Sequence, residues 1–347
     1  MTEKEMIENY FKKRLLTNPR TQYTYTMSIR QFFNVIKKDM TTYFENKPNY
    51  EADIETYYLY LQKNGCVLTT KSCINTIKLF FYVYDKETKT LDIWDTLSSR
   101  LRGANKESEE TALERGDIKK ILEYSDESGR AIFLVLASSG CRVRELTLLE
   151  LDDIKLNENP VRIHFRGETT KNGKQRDTFI TPEAKESLLK WLEVRKKYLS
   201  SNRGCYTVRD KNDNRVFPMT VNNIEYKWKM LVKKAGFDSR DRKTRRLKSH
   251  IHSLRKFFRS NFGNVDLAEH LIGHSGYLST YRQHSTKQLA EEYTKNMKNV
   301  TIFESTDLQE TNKEIEALKR QLEKKDREFE KFKIDVALRL NGIVSGA

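Results

Sequence analysis

The chain has 347 residues, and 64 Lys and Arg against 49 Asp and Glu leave a net charge of +15. Hydrophobic residues at 37%, with 17 Tyr and 17 Phe, exclude a disordered basic tail. The length suits two domains with sizeable cores, and the positive excess is the electrostatic footprint of a nucleic-acid binder. No apolar run approaches the roughly 20 residues that span a bilayer. The charged start Met1-Thr-Glu-Lys-Glu5 does not read as a signal peptide. Cys66, Cys73, Cys141 and Cys205 form no C-x-x-C pair and have no zinc-spaced histidine beside them, so they are expected to be reduced thiols of a cytoplasmic protein.

Residues 1 to about 103 carry apolar side chains at helical period, with little alternation of period two. Met6, Ile7, Tyr10 and Phe11 open the series. Met27, Ile29, Phe32, Phe33 and Val35 follow the turn signal Asn18-Pro19. Ile54, Tyr57, Tyr58 and Leu61 make a third segment, and Cys73, Ile74, Ile77, Phe80, Phe81 and Tyr84 a fourth. A bundle of four or five helices is expected. Its lysines and interleaved tyrosines suit a surface lying along a DNA backbone, and the same tyrosines suit a core equally well. The polar stretch Ser99-Arg-Leu-Arg-Gly-Ala-Asn-Lys-Glu-Ser-Glu-Glu110 has no apolar period and reads as an interdomain linker, set at 104–112. Its Arg100, Arg102 and Lys106 are placed to follow a phosphate strand.

A second domain is expected over 113–303. Asp117 is the expected cap of a helix at 117–122, and residues 131–137 read as a buried helix. Val161-Arg-Ile-His-Phe165 and Arg176-Asp-Thr-Phe-Ile180 alternate like strands. Asn172-Gly173 between them is a hairpin signal. Helices are expected at 182–198, 221–235, 249–262 and 265–272, with Val216-Phe217 as a short third strand. The fold class is therefore mainly α with a small antiparallel β-sheet, an α+β chain. The basic run Arg240, Arg242, Lys243, Arg245 and Arg246 would ordinarily be a solvated loop. Beside a phosphate-reading motif it is expected to contact DNA backbone. In the tail, 304–347, Ile315, Leu318, Leu322, Phe329, Phe332 and Val336 keep a/d heptad spacing, with Lys325 in one d position. That predicts a coiled coil for oligomerisation, or else one amphipathic helix packed on its own domain.

Two elements look chosen for chemistry. His252 and Arg255 stand at i and i+3 on one helix face, and His274 sits in the glycine-flanked Leu271-Ile-Gly-His-Ser-Gly276. An imidazole and a guanidinium aimed together suit a phosphate: arginine offers a rigid fork of donors, and histidine gives or takes a proton near neutral pH. His250 competes with His252 but lacks the i+3 arginine. There is no P-loop, dinucleotide glycine pattern or magnesium-holding carboxylate cluster. Phosphate chemistry without nucleotide or metal is expected.

Taken in order, Arg142, Lys171, His252, Arg255, His274 and Tyr281 resemble the signature of the tyrosine recombinases, the phage-integrase and Xer-like family. Ser139-Gly-Cys-Arg-Val-Arg-Glu-Leu146 resembles its first arginine motif, in a register that selects Arg142 over Arg144. Lys171-Asn-Gly-Lys-Gln-Arg176 resembles its hairpin lysine motif, with Lys174 as the alternative lysine. His252-Ser-Leu-Arg255 resembles its His-x-x-Arg, and Leu271-Ile-Gly-His274 its Leu-Gly-His turn. The resemblance covers about 113–303, and residues 1–103 only as general architecture. Tyr281 follows His274 by seven residues, Tyr277 by three and Tyr293 by nineteen. Tyr281 is the expected nucleophile. Tyr277 stands too close to the turn, and Tyr293 falls inside a helix expected over 286–297. The short spacing resembles divergent archaeal and mobile-element members.

The resemblance implies a DNA-clamping core-binding domain over 1–103 and a catalytic domain over 113–303. It also implies double-stranded DNA as partner, with dimers on DNA and a tetrameric synapse, and no cofactor. Tyr281 would attack a phosphodiester and expel a 5′-hydroxyl. Arg142, Arg255 and His274 would steady the phosphoryl oxygens. His252 would take the tyrosine proton or assist the phosphate by hydrogen bonding, and Lys171 would protonate the leaving oxygen. Glu145 would orient Arg142. His164 and His270 are expected to be structural and His284 to be on the surface. Rival readings are a type IB topoisomerase, a non-catalytic DNA-binding architectural protein, and an oligomeric scaffold built on the tail.

Overall fold

The structure, a computed structural model, describes residues 1–65, 67–102, 111–201, 210–242, 245–274 and 285–303, with positions 321, 324, 325, 328 and 329. Cys66, Lys106, Cys205, Lys243, Tyr277, Tyr281 and His284, most of the linker, and the tail heptads apart from Lys325 and Phe329 lie outside the described residues. The chain divides into two compact units, residues 1–109 with 241–245 and residues 110–240 with 246–347.

The first unit is a helical bundle of α1 (Glu3–Lys13), α2 (Pro19–Ile36), α3 (Tyr50–Asn64), α4 (Val67–Tyr84) and α5 (Ile93–Arg100). Local chemistry sets the helix starts. Thr2 and Glu5 form a reciprocal capping box, and Asn18 accepts from the Arg20 and Thr21 amides just before Pro19. Aromatic rings fill the centre. Phe32 meets Tyr57 at 5.3 Å and Phe81 at 5.4 Å, both edge to face. The tyrosines divide: Tyr10, Tyr43 and Tyr57 are core, whereas Tyr23 and Tyr60 are exposed. The buried ones keep their hydroxyls satisfied where the core allows, Tyr43 donating to Asp53 at 2.8 Å and Tyr57 to Gln31 at 2.9 Å.

The second unit contains α6 (Arg115–Glu123), α7 (Glu127–Ser139), α8 (Val143–Thr147), β1 (Ile154–Lys155), β2 (Val161–Phe165), β3 (Arg176–Ile180) and α9 (Pro182–Ser200). It continues with α10 (Val221–Lys234), α11 (His252–Asn261), α12 (Val265–Ile272) and α13 (Thr286–Asn296). The fold is mainly α with one small antiparallel sheet in the order β1-β2-β3. Ile154 pairs with Ile163, and Phe165 with Arg176. Helix α7 is the axis: from Ser128 to Ser139 only Arg130 escapes burial. Its Ser138 and Ser139 hydroxyls donate back to the carbonyls of Leu134 and Val135, so their polarity costs little in the core.

Three local expectations change. Val216 and Phe217 are fully buried but form no strand. The Val216 amide donates to Leu149 O at 2.8 Å, and the third strand is Ile154–Lys155 instead. A short apolar run buried on all sides has no period that tells strand from irregular core chain. Asn172-Gly173 does lie between paired strands, but β2 and β3 are joined by ten residues, 166–175, including a 3₁₀ turn at Gly167–Thr169. Asp117 is not the cap of α6. Glu114 holds that place, and Asp117 accepts from its amide at 3.0 Å. No helix among the described residues is long and apolar enough to cross a membrane.

Candidate active site

The site begins at the end of α7, in the second unit. Gly140 caps that helix at φ 63°. A Cβ there would meet Phe258 Cδ1 at 2.5 Å and Ile272 Cγ2 at 2.7 Å, so glycine alone lets the chain turn against α11 and α12. Two residues on, Arg142 opens α8. Its amide donates to Glu145 Oε2 at 2.8 Å and its Nη1 to Glu145 Oε1 at 2.9 Å. Glu145 is 1% exposed. Burial pushes its carboxyl pKa up, but hydrogen bonds and charge from Arg176, then Arg142, outweigh that and hold it below the usual range. Arg176, at the first position of β3, donates to both Glu145 oxygens, at 3.3 and 2.6 Å, and through Nε to Leu271 O at 3.0 Å. Its guanidinium lies 4.6 Å from the Phe165 ring centre.

Arg255 projects from α11 and is 5% exposed. Nη1 donates to Gly140 O at 2.6 Å and Nη2 to Ile272 O at 2.9 Å, with His274 Nε2 at 3.1 Å from the same nitrogen. Burial, then the charge of Arg142, pushes its pKa down to about 10, so it remains cationic at neutral pH. His274 follows Gly273, the left-handed cap of α12 at φ 76°. Its Nδ1 stands 2.5 Å from Glu269 Oε2, and its amide donates to Glu269 O. His252 begins α11 and keeps an edge open to solvent. Desolvation by the surrounding fold comes first in lowering its pKa, followed by the charges of Arg255, His250, Arg142 and His274. This favours the neutral imidazole, the form that can accept a proton.

The structure therefore brings Arg142, His252, Arg255 and His274 together. Lys171 and Lys174 are exposed on the 166–175 loop, which touches the His274 turn where Asn172 Nδ2 donates to Gly273 O at 3.4 Å. Arg240 and Arg246 line a cavity of about 560 Å³ with Trp228, His250 and His252. Arg242 and Arg245 are exposed. In the first unit, Arg100 pairs with Glu55 at 2.8 Å and lies over the Tyr58 ring, and Arg102 is exposed. Tyr293 packs, as its place in a helix predicts. It is fully buried against Phe179 and Phe262, and its hydroxyl donates to Ser138 O at 2.8 Å. His164 pairs with Asp177, its Nδ1 2.7 Å from Oδ1. Among the described residues no group of three His, Cys, Asp or Glu could hold a metal.

Two partners went unread in the sequence. Glu269 had a faint signal, an acid five residues upstream of a histidine. Arg176 had none beyond the need of a buried Glu145 for a second cation.

Residues 111–299 match the model of the phage integrase family. The chain belongs to that family. Among its relatives, tyrosine recombinase XerA of Saccharolobus solfataricus is 27% identical over 191 residues, 54% of this integrase-family chain and 56% of that protein. A XerC of Actinobacillus pleuropneumoniae is 28% identical over 46% of this chain and 47% of its own length. The chain thus spans about half the length of these curated relatives. A XerC of Leptospira interrogans is 23% identical over 85% of this chain and 92% of that one. Two solved structures share the fold at 16% identity. A lambda integrase dimer bound to a COC′ core site has TM-score 0.56, covering 82% of this chain and all of that one. The Tn1549 transposon integrase in complex with transposon right end DNA has TM-score 0.57, with 85% and 99% covered.

Proposed function

We propose that this member of the phage integrase family is a site-specific DNA recombinase, an integrase or mobile-element transposase, acting on double-stranded DNA in the cytoplasm. The supporting observation is the gathering of Arg142, Arg255 and His274 around His252. Tyr281 passes its phenolic proton to His252 as its oxygen bonds the phosphorus. The bond to O5′ breaks, and Lys171, or Lys174 on the same loop, protonates the departing oxygen. Arg142 and Arg255 stabilise the charge that grows on the phosphoryl oxygens, with His274 at their side. The 3′-phosphotyrosyl link conserves the bond, so a returning 5′-hydroxyl reseals the strand without ATP or metal.

In this reading residues 1–103 clamp DNA, 104–112 link, 113–303 catalyse, and 304–347 associate between copies. Arg100, Arg102, Lys106, Arg240, Arg242, Lys243, Arg245 and Arg246 add sequence-independent backbone contacts. Assembly follows the lambda integrase, whose solved forms include a dimer on a core site and a tetramer on a Holliday junction. A nicked suicide substrate tests the reading. The wild-type chain should form a protein–DNA adduct, and Tyr281→Phe should form none while still shifting DNA in a gel. An adduct from Tyr281→Phe would reassign the nucleophile, and none from the wild type would end the reading.

A further inference from the structure

Two guanidinium groups share one buried carboxylate in the second unit. Arg142 is 28% exposed on its side chain, whereas Arg176 is 7% exposed and Glu145 is sealed. The two arginines differ in what they have left to offer a ligand. All three guanidinium nitrogens of Arg176 donate inside the fold, two to Glu145 and one to Leu271 O. Arg142 gives Glu145 one nitrogen of its fork, and its side chain keeps 28% of its surface open.

We infer that Arg176 is a positioning residue for strand cleavage. It supplies the fixed positive charge that shares Glu145, and so sets where the Arg142 guanidinium points. The inference rests on the recombinase reading above and deepens it. With Arg176 present, Glu145 divides its two oxygens: Oε1 receives Arg142 Nη1 and the weaker Arg176 bond, while Oε2 receives Arg176 Nη2 and the Arg142 amide. With Arg176 gone, a buried carboxylate would hold only Arg142 and would draw its whole fork inward, away from a phosphate. The same side chain reaches the other half of the site. Leu271 O lies three residues before His274, and a Cβ on Gly273 would sit 2.9 Å from Arg176 Cδ. Arg176 also immediately follows the loop that carries Lys171 and Lys174. One buried cation thus ties the first arginine, the lysine loop and the histidine turn to a single carboxylate.

The test is single-turnover cleavage of the suicide substrate with saturating protein, beside the Kd for the same DNA. Arg176→Gln should slow cleavage on the order of ten- to a hundredfold, as loss of an outer partner that orients a reacting group does, with Kd unchanged. Arg176→Lys, which keeps the charge without the fork, should recover most of the rate. In the Glu145→Gln background, Arg176→Gln should cost much less than it does in the wild type, because Arg176 acts mainly through that carboxylate. Equal losses from Arg176→Gln in both backgrounds would overturn the inference, as would weakened DNA binding at an unchanged rate. If Arg176→Gln does not fold, Arg176→Lys and Glu145→Gln decide alone, and wild-type rates in both would overturn it. Absence of any wild-type adduct would fail the recombinase reading instead.

Discussion

Arg255 Nη2 stands 3.1 Å from His274 Nε2, and this contact fixes the tautomer of the histidine. A guanidinium can only donate, so Nε2 accepts and Nδ1 carries the hydrogen, which it donates to Glu269 at 2.5 Å. Without DNA, His274 is therefore an aligner of Arg255 before it is a donor to any phosphate. Glu269→Ala should free the ring to flip and to change tautomer. Cleavage should then slow by roughly tenfold or more while DNA binding stays near wild type, since the loss concerns orientation of a transition-state donor. A rate equal to wild type would show that the pair does not act on the reaction.

His252 carries the clearest pH signature. Desolvation and then the neighbouring charges, Arg255 foremost, disfavour its imidazolium and hold its pKa below the ordinary 6.5. A base that must be neutral loses activity as it gains a proton, so the cleavage rate should fall on acidification with a midpoint below 6.5. His252→Gln should flatten that limb and lower the plateau. A wild-type midpoint above 6.5 would remove His252 as the proton acceptor.

The two arginines proposed to hold phosphate should separate in stability. Arg255 satisfies two buried carbonyls, Gly140 O and Ile272 O. Arg255→Ala strands both, at about 1–3 kcal/mol each, so urea unfolding should show a loss of several kcal/mol together with loss of cleavage. Arg142→Ala leaves Glu145 its bidentate Arg176, so it should cost roughly 1–2 kcal/mol at most while abolishing cleavage. Equal destabilisation by the two would contradict the division of labour.

What the sequence made legible follows the reach of its periodicities. His252 and Arg255 could be paired because three residues on a helix are neighbours, and Gly140 and Gly273 marked turns because their φ of 63° and 76° suits glycine. Arg142 was legible from its place two residues after Gly140, and its partner Glu145 stands three residues away. Arg176 lies 31 residues from Glu145, and only tertiary contact gives it meaning. The strand Ile154–Lys155 has two residues, too few to show a period. For Tyr281, outside the described residues, spacing alone still speaks.

The proposed cation cage implies that chelation is harmless. Cleavage of the suicide substrate in excess EDTA should proceed at the rate seen without it, because Arg142 and Arg255 supply the charge that a divalent ion gives elsewhere. A strict requirement for added magnesium would move the reaction to another mechanism.

Glu183 gives stability a pH dependence of its own. Its carboxylate, 2% exposed at the start of α9, accepts the amides of Ile302 and Phe303 at 2.7 Å each and so holds the segment that leads into the tail. Burial pushes its pKa up to about 7, against the pull of those two amides, Thr181 and Arg115. A raised acid binds its proton more tightly folded than unfolded. Between the ordinary 4.5 and about 7 the folded chain keeps a proton that the unfolded chain has shed, and stability declines as pH rises through that window. The slope from this one group is at most about 1.4 kcal/mol per pH unit. Glu183→Gln removes the titration. Stability of the wild type minus that of Glu183→Gln, from urea unfolding, should therefore fall from pH 5 to pH 7 and stay level above it. A difference that is flat across the window, or that rises, would mean that the two amides hold the carboxylate ionised throughout.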